Sequence, residues 1–79
     1  MRLLTLYSRP DCHLCEKMIE ELRPLVHGKA EISVVDISQD EELDRQYSLR
    51  IPVLAAGSEE LSLYWLDRDA VERFLAESA

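Results

Sequence analysis

Cys12 and Cys15 are the only cysteines of the chain, and just two residues, His13 and Leu14, separate them. At that spacing the two sulfurs can close a disulfide with each other or supply half of a metal site. A tetrahedral zinc site would need two more ligands. Beyond the pair, the only soft donors are His13 and His27, and there is no second Cys-x-x-Cys. The preferred reading is therefore a redox dithiol, with a reduced, inert pair as the plain alternative.

Thiolate, not thiol, attacks a disulfide, and an unperturbed cysteine is only about 3% ionised at neutral pH. A helix-like run begins right after Cys12. That places its sulfur beside unpaired backbone N–H groups and the positive end of the helix dipole, while Cys15 lies a turn deeper. Cys12 is accordingly assigned as the nucleophile, with a depressed pKa, and Cys15 as the resolving thiol. Arg9 and protonated His13 would favour the anion; Asp11 and the overall negative charge would oppose it.

Ile51-Pro52 is the second informative step. A proline opening a strand cannot donate to the ladder, and most X-Pro bonds are trans. With the dithiol upstream, a cis bond is expected here.

These residues need elements to hold them. Leu3-Leu4-Thr5-Leu6-Tyr7 reads as a first strand, ended by Pro10-Asp11. From His13 onward, Leu14, Met18, Leu22 and Leu25 recur at helical spacing, with Ile19 and Val26 widening the stripe. Pro24 should end or kink that helix, and Gly28 close the segment. Residues 31–37 are rich in β-branched side chains and suggest a second strand, expected to be central. Ser38 is expected to cap a short acidic helix over 39–47, whose solvated start is Asp40-Glu41-Glu42. Residues 52–56 read as a third strand, 57–60 as a hairpin turn and 61–66 as a fourth strand. Asp67 would then cap a last helix that buries Ala70, Val71, Phe74 and Leu75. Tyr7 is read as core or groove wall, Trp65 as a core or hairpin anchor in preference to a partner contact, and His27 as a surface residue.

The 79 residues amount to one domain, 1–79, near the lower size at which a hydrophobic core alone can hold a fold. A formal charge of −7 argues against nucleic acid and anionic membrane surfaces, which select clustered Lys and Arg. The charge-then-apolar start at Arg2 stops at Ser8-Arg9-Pro10, too short for a signal peptide, and no segment reaches membrane-spanning length. A cytoplasmic monomer is expected, in which a disulfide is transient. A four-residue loop is also a weak staple, worth roughly 1.9 kcal/mol in the loop-entropy model.

The order β-α-β-α-β-β-α, a four-stranded mixed sheet flanked by three helices, is thioredoxin-like α/β. Together with residues 7–15 and the run Tyr47-Ser48-Leu49-Arg50-Ile51-Pro52, it resembles glutaredoxins and small glutaredoxin-like proteins of the thioredoxin superfamily. The resemblance spans nearly the whole chain. It implies a thiol-disulfide oxidoreductase in which Cys12 forms the mixed disulfide and Cys15 resolves it, without metal or prosthetic group. It also implies a cis Pro52 beside the dithiol and an Ile51 backbone that pairs with an extended thiol substrate. Arg9 would stand where glutaredoxins often carry a Lys that attracts a glutathione carboxylate, and His13 would adjoin the substrate.

Two departures from the family pattern bear on this. His13-Leu14 replaces the usual Pro-Tyr, and Tyr64-Trp65-Leu66-Asp67 replaces the Gly-Gly pair that lets glutathione approach the backbone. The expected partners are a disulfide-containing protein or a small thiol, with glutathione a candidate co-substrate that the second departure counts against. The rival reading is a binding module that keeps the fold but performs no redox turnover.

Overall fold

The computed structural model describes residues 2–77. Along Arg2–Ser8 (β1), Leu4 and Leu6 are fully buried on one face, while Thr5 and Tyr7 alternate to the other and are half-buried. That alternation belongs to a strand covered on both sides. In the sheet β1 indeed has two neighbours, the order being β2-β1-β3-β4. Strand β2 (Ala30–Asp36) runs parallel to β1; β3 (Val53–Ala56) runs antiparallel to β1, and β4 (Glu59–Leu63) antiparallel to β3. Helix α1 (His13–Val26) makes the parallel crossover, α2 (Glu41–Tyr47) joins β2 to β3, and α3 (Arg68–Glu77) ends the described chain. This is the expected thioredoxin-like arrangement of three helices on a four-stranded mixed sheet.

The core has two parts, one on each sheet face. Leu4, Leu6 and Leu54 pack with Met18, Leu22 and Val26 of α1 and with Val71 and Phe74 of α3. On the other face Val53, Ile37 and Tyr47 form a smaller cluster, flanked by Tyr7, Leu43 and Ile51. Adjacent residues of β3, Val53 and Leu54, therefore serve opposite clusters, as the strand's period of two requires.

Several local expectations are corrected. Strand β2 is an edge strand, not a central one, because β3 takes the second hydrogen-bonding edge of β1. Helix α1 passes through Pro24 to Val26. The missing N–H affects only the last turn, and both Pro24 and Glu20, whose carbonyl it would have served, are exposed to water. The buried stripe of α1 is Cys15, Met18, Leu22 and Val26, with Leu14, Ile19 and Leu25 on its flanks. Gly28, at φ 74°, closes the segment as expected.

The cap of α2 is Asp40, not Ser38. Its carboxylate accepts the Glu42 N–H at 2.9 Å and the Leu43 N–H at 3.3 Å. Ser38 instead sits in a 3₁₀ turn, Ile37–Gln39, and gives both its N–H and its hydroxyl to Asp36. Those two bonds hold the Asp36 carboxyl below the ordinary aspartate range. Strand β4 begins at Glu59, two residues earlier than expected, and stops at Leu63. A register shift at Leu54/Ala55 lets Leu61 and Ser62 both be buried. Asp67 does cap α3, accepting the Ala70 N–H at 3.1 Å, and its own N–H is tied back to the Ser62 hydroxyl at 2.9 Å.

Candidate active site

Cys12 is the N-cap of α1. Its backbone is extended (φ −101°, ψ 104°), its carbonyl accepts the Glu16 N–H, and its Sγ accepts the Cys15 N–H at 3.2 Å. A serine hydroxyl at the same cap position would take the same bond; here a sulfur occupies the place where helix N–H groups converge. Cys15 follows one turn into the helix and is 3% exposed, whereas Cys12 is only half-buried. The two are joined as a disulfide with their Cα atoms 5.2 Å apart. Asp11, immediately before the cap, takes the left-handed conformation at φ 60° that turns the chain from β1 into the helix.

Strand register brings the start of β3 to the same end of the sheet. Tyr7 lies opposite Val53, so Pro52 and Ile51 border the edge from which residues 9–12 leave β1. The Ile51-Pro52 bond is cis, Pro52 is buried, and Ile51 packs against the smaller core cluster. The turn after β4 meets this edge too: the Tyr64 N–H donates to the Pro52 carbonyl at 2.9 Å, and the Tyr64 hydroxyl donates to the Leu49 carbonyl. Three segments thus converge beside the dithiol.

Two sequence candidates point elsewhere. The Arg9 guanidinium pairs with the Asp44 carboxylate on α2, which ties the dithiol loop to that helix. His13 is almost wholly in solvent, with Nδ1 3.8 Å from the Glu16 carboxylate. The cationic help expected from these two is therefore shared with nearby carboxylates, and the helix N-terminus is the stabiliser built into the backbone. Beneath the loop Tyr7 stacks on Tyr47, ring centroids 4.2 Å apart, and Arg50 lies over the outer part of that pair while bonding Glu60 at 2.8 Å. Burial and the neighbouring Tyr7 raise the Tyr47 pKa.

Trp65 corrects its expected role: it is 64% exposed and anchors no core. Asp44, Leu49 and Tyr64 join the site from outside the sequence candidates. For Asp44 no sequence signal existed, since its partner Arg9 is 35 positions away. For Tyr64 the signal was the missing Gly-Gly pair, because Tyr64 has φ 64°, a conformation that ordinarily selects glycine.

A family model described as glutaredoxin-like domain (DUF836) matches residues 3–76. The chain belongs to this glutaredoxin-like family. A solution structure of a protein from Nitrosomonas europaea is 41% identical, with a TM-score of 0.80, over 92% of this chain and 89% of that one. An X-ray structure of a protein from X. campestris is 34% identical, with a TM-score of 0.69, over 96% and 97% of the two chains. A thioredoxin mutant from Halobacterium salinarum is similar in fold, at 20% identity and a TM-score of 0.63, over 95% of this chain and 72% of that one. No curated protein matches the chain. The glutaredoxin-like thioredoxin fold and its Cys12-Cys15 pair support a thiol redox role.

Proposed function

We propose that the protein is a thiol-disulfide oxidoreductase. The Cys12 thiolate attacks one sulfur of a substrate disulfide; that S–S bond breaks, and one half of the substrate leaves as a thiol. Cys15 then attacks the Cys12 sulfur of the mixed disulfide and releases the second half. The protein is left with the Cys12-Cys15 disulfide, and the substrate has gained two electrons. Two equivalents of an external thiol return the dithiol for another round.

The observation that carries this reading is the placement of the Cys12 sulfur on the Cys15 N–H at the start of α1, with Cys12 the more accessible of the two. Backbone donors there stabilise a thiolate on Cys12, and burial keeps Cys15 for the intramolecular step. Neither step requires a metal or organic cofactor. The start of β3, Ile51-Pro52, is the place for an extended substrate segment. Arg9 can meet a substrate carboxylate only by exchanging it for Asp44, and His13 acts at most through its charge. A bulky Tyr64-Trp65 turn at the β4 exit favours polypeptide disulfides over glutathione.

Exposed Trp65 also suits the rival reading, a partner-binding module without turnover. Cys15→Ser separates the two. Incubated reduced with a disulfide substrate, this variant should accumulate a mixed disulfide on Cys12, seen as an added substrate half by intact mass. Absence of the adduct, with Cys12 confirmed as a free thiol, would contradict the oxidoreductase reading.

A further inference from the structure

Among the described residues six large apolar side chains are exposed, and four of them, Leu49, Leu63, Tyr64 and Trp65, belong to the β4 exit or are bonded to it. The backbone there is not relaxed. The Trp65 N–H donates to the Leu63 carbonyl at 2.6 Å across Tyr64, whose φ is 64°. That is a γ-turn of the positive-φ kind, rare and strained, and a bulky aromatic at its centre has no glycine-like freedom. The Tyr64 bonds to Pro52 and Leu49 hold it in place. Its outcome is an indole turned into solvent, and strain retained around an exposed aromatic points to a binding use.

The indole borders the dithiol loop. A shallow depression between the turn and α1 is lined by Leu14, Tyr64 and Trp65, and Leu14 is one of the two residues between the cysteines. Carboxylates line both depressions that Trp65 borders: Glu21 the first, and Asp67 together with Glu60, itself paired with Arg50, the second. Lys17 is the cation among these lining residues, and the whole chain carries −7. An acidic partner would be repelled from such a surface, while a basic one is steered to it.

We infer that the Tyr64-Trp65 turn docks a polypeptide disulfide whose cysteine is flanked by Arg or Lys, with the cationic side chain stacked on the Trp65 indole. The assignment rests on the dithiol exchange proposed above for its biological sense, but the docking itself requires no turnover. An arginine beside the substrate cysteine meets an aromatic face best suited to cation–π contact, and the rim carboxylates add attraction that salt would weaken.

Trp65 is the only tryptophan of the chain, so its fluorescence reports the docking directly. The oxidised full-length protein is titrated with two peptides that carry Ser in place of the reactive cysteine. They differ only in the flanking residues, two Arg in one and two Glu in the other. The Arg peptide should perturb the emission saturably and bind at least about fivefold tighter than the Glu peptide, with the gap narrowing at high salt. By calorimetry, Trp65→Ala should weaken the Arg peptide about fivefold. Because Trp65 is exposed, that variant should keep the wild-type thermal midpoint. Equal binding of the two peptides, or an Arg-peptide affinity unchanged by Trp65→Ala, overturns the inference. A separate reaction of reduced Cys15→Ser with hydroxyethyl disulfide isolates the other possibility: no adduct there sinks the oxidoreductase reading and leaves the docking result standing by itself.

Discussion

Two non-glycine residues of the described chain take left-handed backbone, Asp11 at φ 60° and Tyr64 at φ 64°, and both border the dithiol. Asp11 delivers the chain from β1 to the Cys12 cap. Tyr64 delivers it from β4 toward α3 and presents Trp65 on the way. An aspartate tolerates this conformation through its short polar side chain, and Pro10-Asp11 announces a turn in the sequence. A tyrosine does not, and it stays there through bonds to Pro52 and Leu49. The first turn is thus built for the chemistry at low cost. The second holds a strained backbone and leaves Trp65 exposed.

If that division is right, the two turns should fail differently. The largest effect belongs to the dithiol side: Cys12→Ser should reduce mixed-disulfide formation to background, whereas Cys15→Ser should preserve it and block resolution. Intact mass after incubation with a disulfide checks both. Next come the backbone conformations themselves. Asp11→Val should cost about 1–2 kcal/mol of unfolding free energy, because a β-branched residue is poorly accommodated at φ 60°. Tyr64→Gly should relieve a strain of similar size, about 1–2 kcal/mol, offset in part by losing the phenol's bond to Leu49, worth about 1 kcal/mol. Urea unfolding of the pair gives opposite signs if Tyr64 is strained; a Tyr64→Gly loss larger than that of Asp11→Val would mean the turn is not.

Smaller effects refine the picture. Tyr64→Phe removes only the Leu49 bond and should cost at most about 1 kcal/mol. Arg9→Ala should cost less than about 1 kcal/mol, since the Arg9-Asp44 pair is partly exposed. The last effect is a pH dependence. Tyr47 has a raised pKa in the folded protein, so its neutral form is favoured by folding. That contribution is fully present below the unfolded value of 10.0 and is lost as pH rises through the folded pKa. Thermal midpoints should therefore fall above pH 10 in the wild type and fall less in Tyr47→Phe.

The same contrast explains what the sequence could reveal. Cys12, Cys15 and the capping role of Asp67 were legible because their signals are local: a spacing, a following helix pattern, an acid before an amphipathic run. The element order was legible for the same reason. Strand position was not, since edge or centre depends on which partner takes the free side of β1, and the β-branched run 31–37 reads alike in either place. Ser38 and Asp40 are both good caps, and the choice between them was made by Asp36, which drew Ser38 into its own turn. Pro24 misled because its penalty is small in an exposed last turn. Trp65 misled because an aromatic inside an expected strand, 61–66, is usually core, whereas the γ-turn at Tyr64, a position with no glycine to mark it, ends β4 at Leu63. The Arg9-Asp44 pair lay beyond any local pattern.

The central claim is that Cys12 and Cys15 act as one redox couple, and it can be tested directly. Equilibrate the protein in buffers of graded reduced to oxidised dithiothreitol, quench with an alkylating reagent, and count the labels by mass. The account predicts a reversible change from two labels to none, in a single two-electron transition, with singly labelled protein negligible. Two labels retained at every poise, or a transition that does not reverse, would contradict it.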